Sequence, residues 1–551
     1  MEICEVARPT LWSRQLVDRY RREGYWTGDT VASTCDAQAI QRPDAQALTD
    51  LTRTMTWSQV KARTDGLAGH LVNIALERGA VVASWLPNSI EHYLLRLACE
   101  KAGLVWLPIP SRARAHELLP LLGKSAAALI VVAESGRRDH PDEVEALRTR
   151  LPALRHLLLA GGRRAGMSSL EDVLAGQSGG VRPATLEHRR LRWDERCFLL
   201  PTSGSTGIPK LCEYLVAGTI ARGRAQVDLF GISDQDVILA AVQGLGPSLI
   251  PLLAAPLAGA EVVVVDHPSP EVLTRVISEH RVSIVCAVPP IYRDLNECMT
   301  ASRSRLESVR IWYSTGMAMP PELAADFEQN TGGVVISGYG GIDLGCWASP
   351  EPEDPQAVRW FTVGKPRGGS EISLVADSAH AAGEGVIEAR GPSSTFGYFD
   401  DPEATARAWT ADGWFRTDDV GAFDELGNLI IVGRMQDVIN RGGDKVFPPE
   451  VEHLLEEHPH IARAAVVAFP DWKLGERVCA FIVPRGDQEL CLEQVRAYLE
   501  SRQIASYKWP ERLEMVRELP QTSGGKLARH VLRAELQRRV SGWSGEEAIH
   551  V

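Results

Sequence analysis

Ten cysteines are scattered along the 551-residue chain without a single C-x-x-C pair, which argues against a zinc ribbon and against a disulfide framework. Free thiols in a chain of this size suit a reducing cytoplasm. Basic residues are in deficit: Lys and Arg number 59 against 71 Asp and Glu, a formal net charge of -12. That balance argues against a nucleic-acid partner, which favours a concentrated basic face. The opening Met1-Glu2-Ile3-Cys4-Glu5 lacks a basic start followed by an apolar run, so no signal peptide is read. Long apolar runs are also scarce. The stretch Val237 to Ala260 carries no charge, but Gly244, Gly246, Pro247, Pro251, Pro256 and Gly259 interrupt it, and a spanning helix does not tolerate so many breaks. It reads instead as a buried helix beside a pocket. The expectation is a soluble, cytoplasmic protein with neither a membrane nor a nucleic-acid partner. No internal repeat or low-complexity tract is apparent.

A chain this long exceeds one ordinary core, so two or more domains are expected. Short apolar, β-branched runs recur at Ala128 to Ala133, Cys197 to Leu200, Glu261 to Val265, Val282 to Val288 and Val309 to Tyr313. Between two of them, Glu271 to His280 has apolar residues at helical spacing. This alternation predicts an α/β fold whose strands are buried on both faces. Near Val386 to Arg390 and Leu429 to Val432 the rhythm shortens to strands and turns. After Gly433 a compact tail carries its own helices, Glu450 to His458 and Leu492 to Arg502, and its own strands, Ala464 to Phe469 and Val478 to Val483.

The richest stretch in chemistry is Thr202-Ser203-Gly204-Ser205-Thr206-Gly207-Ile208-Pro209-Lys210, directly after an apolar run. Small hydroxylated residues and glycines expose backbone N–H groups that can wrap phosphate oxygens, and Lys210 adds positive charge. The spacing is not that of the G-x-x-x-x-G-K-[ST] loop. Nor is it a nucleophile elbow, since Ser203 stands where G-x-S-x-G needs glycine. The alternative, from composition alone, is a flexible surface loop, since Gly, Ser, Thr and Pro mark loops in any case.

This stretch resembles the phosphate-binding signature of the adenylate-forming superfamily: acyl-CoA synthetases, aryl acid ligases, luciferases and peptide-synthetase adenylation domains. Further likenesses follow in the family's order. Gly338-Tyr339-Gly340-Gly341-Ile342-Asp343 resembles the motif whose aromatic residue lies near adenine and whose terminal acid holds Mg²⁺. Ile342 and Asp343 replace the usual Thr-Glu, leaving a shorter carboxylate still able to coordinate a hard cation. Gly383-Glu384-Gly385, Arg390-Gly391-Pro392 and Gly397-Tyr398-Phe399 resemble a structural motif to which no chemistry is assigned. Gly413-Trp414-Phe415-Arg416-Thr417-Asp418-Asp419 resembles W-x-R-T-G-D, in which Asp419 would accept hydrogen bonds from the ribose hydroxyls; Asp418 replaces a glycine. Gly433-Arg434-Met435-Gln436 and the following Gly442-Gly443 resemble the hinge region. There Arg434 is expected at the ribose or phosphate, Gln436 at the hinge and the glycines beside a pantetheine thiol arm. Pro520-Gln521-Thr522-Ser523-Gly524-Gly525-Lys526 places Lys526 on the family's catalytic lysine.

The resemblance implies a large N-terminal adenylation domain, residues 1–435, of α/β subdomains plus a β-barrel-like subdomain. A small, mobile α+β C-terminal domain, residues 436–551, would carry Lys526. It also implies ATP and Mg²⁺, with nucleotide contacts from Thr202, Ser203, Gly204, Ser205, Thr206, Gly207, Lys210, Gly338, Tyr339, Gly340, Asp419 and Arg434, and the metal at Asp343. The substrate is expected to be a small carboxylic acid, held by Gly244, Leu245, Gly246, Gly316 and Gly338. The N-terminal Leu11-Trp12, Tyr20 and Gly24-Tyr25-Trp26 resemble aryl acid ligases that load carrier proteins. Leu245, however, stands where siderophore-type ligases bond an ortho-hydroxyl, and leaving a hydroxyl buried and unpaired costs about 1–3 kcal/mol. Salicylate and dihydroxybenzoate are therefore disfavoured. Gly246 lacks the carboxylate that pairs an α-ammonium, which disfavours amino acids. Glycines 244, 246 and 338 suggest room for a larger flat ring. Coenzyme A remains an alternative acceptor to a carrier protein. An inactive nucleotide-binding scaffold is the alternative of another class, prompted by Ile342, Asp418 and Gln436.

Overall fold

The computed structural model describes residues 12–111, 113–134, 140–176, 183–202, 210–241, 249–266, 268–302, 305–316, 319, 321–376, 383–434, 439–446, 448–486, 490–520, 527 and 529–540. They fall into two compact units. The larger takes residues 12–111, 121–202 and 210–433; the smaller takes residues 113–120 and the chain from 434 onward.

Strands that are apolar on both faces build the larger unit. Leu129–Ala133 and Val81–Trp85 are buried at every position, as expected for parallel strands covered by helices on both sides. They belong to a seven-stranded sheet. A nine-stranded sheet is parallel through its middle, where Val334–Gly340 pairs with Ile311–Thr315, Ile311–Thr315 with Ile284–Ala287, and Ile284–Ala287 with Val237–Ala240. Antiparallel strands close its margins. The amphipathic Glu271 to His280 segment forms the helix Pro270–Glu279, capped by the Ser269 side chain, with Leu273, Val276 and Ile277 buried. The β-rich stretch forms a four-stranded antiparallel sheet of Glu371–Val375, Glu384–Arg390, Phe415–Phe423 and Leu429–Arg434.

One expectation is corrected. Val237 to Ala260 is not a single buried helix: Val237–Ala240 is a central strand of the nine-stranded sheet, and helical turns occupy Ile250–Ala254 and Ala255–Ala258. An uncharged segment has no polar face to display a period, so its apolar content alone does not distinguish strand from helix.

The helix Val216–Phe230 positions the site described below. Ala217 and Ala221 on one of its faces pack under Trp12, Tyr20 and Trp26. Trp26 Nε1 also donates to the Pro392 carbonyl at 2.8 Å. The aromatic N-terminal segment thus clamps this helix.

The smaller unit has its own sheet and core, built from Ile461–Asp471 against Gly475–Pro484 and the helices Pro448–Glu456 and Leu492–Ser501. Within it Lys508 is buried between Glu450, at 2.7 Å, and Glu117, at 3.1 Å. Both carboxylates raise the lysine's affinity for its proton against the opposing effect of burial.

Candidate active site

The strands Arg196–Thr202 and Lys210–Leu215 run antiparallel, with Thr202 directly opposite Lys210. Their register pins the two ends of the glycine-serine stretch side by side. Residues Ser203, Gly204, Ser205, Thr206 and Gly207 themselves lie outside the described residues, as do Gly244, Leu245, Gly246, Gln436 and Lys526.

The segment around Tyr398 adds as a further strand beside Lys210–Leu215. Phe396 N donates to Glu213 O at 2.7 Å, Glu213 N to Gly397 O at 2.9 Å and Phe399 N to Leu211 O at 2.7 Å. This pairing puts the Tyr398 ring under Lys210, whose Nζ lies 4.5 Å from the ring centroid. The Tyr398 hydroxyl donates to Asp343 Oδ2 at 3.3 Å. Lys210 and Asp343, more than a hundred residues apart, thus meet at one phenol. Sequence reasoning passed over Tyr398 because Gly397-Tyr398-Phe399 has the look of turn and strand punctuation.

Asp343 is held from behind. The Thr395 hydroxyl donates to the Asp343 carbonyl at 2.6 Å, and the Tyr214 hydroxyl donates to the carbonyl of Ile342. Burial pushes the Asp343 carboxyl above its usual range, while Lys210 and the Tyr398 hydrogen bond act in the opposite direction. A desolvated carboxylate with partial compensation gains from a nearby cation. The donor set suits Mg²⁺, which binds protein through one or two carboxylates and takes its other ligands from phosphates and water. Among the described residues no cluster of three or more His, Cys, Asp or Glu could enclose an ion unaided.

Tyr339 and Asp419 are brought together as well: the Tyr339 hydroxyl donates to Asp419 Oδ2 at 2.9 Å. Asp419 sits on a β-bulge. Pairing with Glu384–Arg390 steps from Val386–Val420 to Glu388–Arg416, leaving extra residues on the Asp419 strand. Thr417 fixes the irregularity by donating to Ile387 O at 2.7 Å and accepting from Asp419 N at 3.1 Å. Bulges re-aim side chains, and here Asp418 is exposed while Asp419 is half-buried. The Asp418-Asp419 pair therefore lies within a strand rather than on a solvated turn.

Gly316 follows Ile311–Thr315, and Gly338-Tyr339-Gly340 closes the neighbouring parallel strand, with Thr315 opposite Gly338. Both sets lie at the carboxyl ends of parallel strands, where α/β sheets bind ligands. Gly338 corrects an expectation. A Cβ there would lie 2.8 Å from Tyr313 Cζ and closer still to its hydroxyl. The volume left by the missing side chain is filled by a phenol, so Gly338 does not enlarge a ring pocket.

Arg434 ends the strand Leu429–Arg434. Gly442 and Gly443 form the two-residue loop between Ile439–Arg441 and Asp444–Val446, with φ of 60° and 96°. Such tight hairpins require positive φ at both central residues. The hairpin alone accounts for this glycine pair, and no thiol path is needed to explain it.

The strands flanking the glycine-serine stretch, a lysine and a carboxylate on one tyrosine, and a second tyrosine–aspartate pair bring the sequence-predicted residues Lys210, Asp343, Tyr339 and Asp419 into two clusters. The AMP-binding enzyme family profile matches residues 35–399, and the AMP-binding enzyme C-terminal domain profile matches residues 450–526. The chain belongs to this family and is an adenylate-forming carboxylic acid ligase. It is 33% identical to a salicylyl-CoA synthase / salicylate adenylyltransferase of Streptomyces sp., over 95% of this chain and 96% of the relative. It is 29% identical to the 2,3-dihydroxybenzoate-AMP ligase of Bacillus subtilis, over 96% and 98%. Its fold matches the amide bond synthetase McbA of Marinactinospora thermotolerans with a TM-score of 0.80 at 25% identity, covering 92% of this chain and 99% of that one. No helix among the described residues is long and apolar enough to cross a membrane.

Proposed function

We propose that the chain activates an aryl or heteroaryl carboxylic acid with ATP and passes the acyl group to the phosphopantetheine thiol of a carrier protein, as part of secondary-metabolite biosynthesis. The observation that carries the nucleotide part is the Lys210–Tyr398–Asp343 cluster, 4.5 Å from nitrogen to ring centroid and 3.3 Å from hydroxyl to carboxylate. It puts one fixed cation and one cation-seeking carboxylate beside the ends of the glycine-serine stretch. The choice of an aryl acid is supported by the names of the relatives, which include the salicylate and dihydroxybenzoate enzymes above.

In this reading the acid's carboxylate oxygen attacks the α-phosphorus of ATP. A P–O bond forms, the α–β bridge bond breaks, and pyrophosphate leaves. Both reactants are anionic, so the protein's task is to neutralise charge and align the oxygen. Ser203 to Gly207 and Lys210 hold the β- and γ-phosphates, and Gly338, Tyr339 and Gly340 flank the base. Asp419, steadied by Tyr339, accepts from the ribose hydroxyls, assisted by Arg434. Asp343 would hold Mg²⁺, which when bound offsets charge on the phosphates. Lys526 stabilises the oxygens on which charge grows at the α-phosphorus. A thiolate then attacks the acyl carbon and AMP leaves.

A coenzyme A acceptor is the second reading, favoured by the naming of one of the relatives as a salicylyl-CoA synthase. Acid-dependent ATP–pyrophosphate exchange tests the first half-reaction. Supplying the adenylate with either coenzyme A or a phosphopantetheinylated aryl carrier protein tests the second. Faster transfer to coenzyme A would overturn the carrier assignment.

A further inference from the structure

The helix Val216–Phe230 carries a polar stripe that the nucleotide chemistry leaves unused, with Gln226 buried and Arg222 part-buried. Arg222, Gln226 and Phe230 are spaced four residues apart, so they share one face. The Arg222 guanidinium lies 4.2 Å over the Trp347 ring. Phe230 packs against both Trp347 and Tyr313, with centroids 6.4 and 5.2 Å apart. Gln226 stands between them on the same face and is fully buried.

Within the described residues these polar atoms lack partners. Among the described residues nothing bonds Arg222 Nε, Trp347 Nε1 or either amide atom of Gln226. The sole hydrogen bond from Arg222 within the described residues is a long one, 3.5 Å, to the Gly345 carbonyl. Burial lowers the guanidinium's hold on its proton, opposed by Tyr313, Tyr214 and Cys346. Those three groups are themselves pushed upward by burial and are neutral at pH 7. No described carboxylate pairs with Arg222. Leaving a buried amide and a guanidinium Nε unsatisfied is costly, and a ligand oxygen placed there would remove that cost.

The position relates the stripe to the candidate site. Tyr313, against which Phe230 packs, fills the space beside Gly338, and Trp347 pairs with Gly340. The stripe therefore lies behind the strand whose end forms the candidate site. We infer that Arg222 and Gln226 read an oxygen substituent, a hydroxyl or a carboxylate, on the ring of the activated acid at the end away from the reacting carboxylate. Guanidinium donates to that oxygen; the Gln226 amide accepts from a hydroxyl or donates to a carboxylate. The inference rests on the aryl acid reading above and names its substrate class.

The test is pyrophosphate exchange with matched acids: benzoate against 4-hydroxybenzoate and terephthalate, and 2-naphthoate against 6-hydroxy-2-naphthoate. The wild type is expected to favour the oxygenated member of at least one pair by about 10-fold or more in kcat/KM, the value of one hydrogen bond to a charged group. The hydroxyl and carboxylate arms distinguish the two sources of that oxygen. Arg222→Met and, independently, Gln226→Leu are expected to shrink this preference ratio at least fivefold, with Arg222→Lys retaining part of it. A wild type that treats both members of every pair alike overturns the inference alone. So do variants that lower both members equally, which marks a packing role. A wild type that exchanges with no acid at all overturns the adenylation reading and the inference together.

Discussion

Gly338→Ala isolates the claim that Tyr313, and not the substrate, occupies the space beside Gly338. The added methyl would start 2.8 Å from Tyr313 Cζ, whereas ordinary contacts begin at 3.4 Å, so the ring must retreat by at least the difference, about 0.6 Å. It has little freedom to do so. Tyr313 is 2% exposed, its ring meets Phe230, and its carbonyl accepts from the Tyr292 hydroxyl at 2.7 Å. Overpacking of this kind costs about 1–3 kcal/mol. The assay is a double-mutant cycle with Tyr313→Ala, read by urea unfolding and by exchange kinetics. Gly338→Ala should cost its full 1–3 kcal/mol with Tyr313 present and close to nothing in the Tyr313→Ala background, a coupling of about that size. If Gly338 instead lined an open ring pocket, the alanine would leave stability alone and reject only bulkier acids, regardless of residue 313. Equal costs in both backgrounds would refute the reasoning.

Further expectations follow from other contacts. Tyr339→Phe removes the hydroxyl that steadies Asp419. In this half-exposed setting the loss is about 1 kcal/mol, and KM for ATP should rise about fivefold with little change in melting temperature; an unchanged KM would detach the pair from the nucleotide. Lys508→Met leaves Glu450 and Glu117 buried without their cation, and breaking such a cluster costs about 3–5 kcal/mol. A loss below about 1 kcal/mol in urea unfolding of the smaller unit would contradict the burial argument. His92 is pushed by burial from 6.5 down to about 4. The unfolded chain therefore binds this proton first, and stability should fall as pH drops from 6.5 towards 4, by up to about 1.4 kcal/mol per pH unit. His92→Leu should flatten that limb of the stability–pH curve, and an unchanged slope would count against it.

Much of the architecture was legible because buried parallel strands and amphipathic helices leave periodic marks. Leu129–Ala133 reads as continuous apolar sequence, and Pro270–Glu279 carries its cap and its stripe in plain view. The Val237 to Ala260 stretch misled because a segment with no charge and only Gln243 and Ser248 as polar side chains has no period to read. Within the site, Lys210, Asp343, Tyr339 and Asp419 were legible through ordered motifs, and the structure brings them together in two pairs. Tyr398 was missed because its role comes from a non-local strand pairing with Lys210–Leu215. Arg222 was missed for a related reason. A helical arginine usually extends into solvent, and only the packing shows that this one lies over the Trp347 ring, part-buried.

Acid-dependent ATP–pyrophosphate exchange by the wild type and by Lys526→Ala is the measurement closest to the central claim. The wild type should exchange label in the presence of an aryl acid and Mg²⁺. Lys526→Ala should lose at least about 10²–10³ of that rate while still transferring the acyl group from supplied adenylate to a thiol. Undiminished exchange in the variant, or none in the wild type across the whole acid panel, would contradict it.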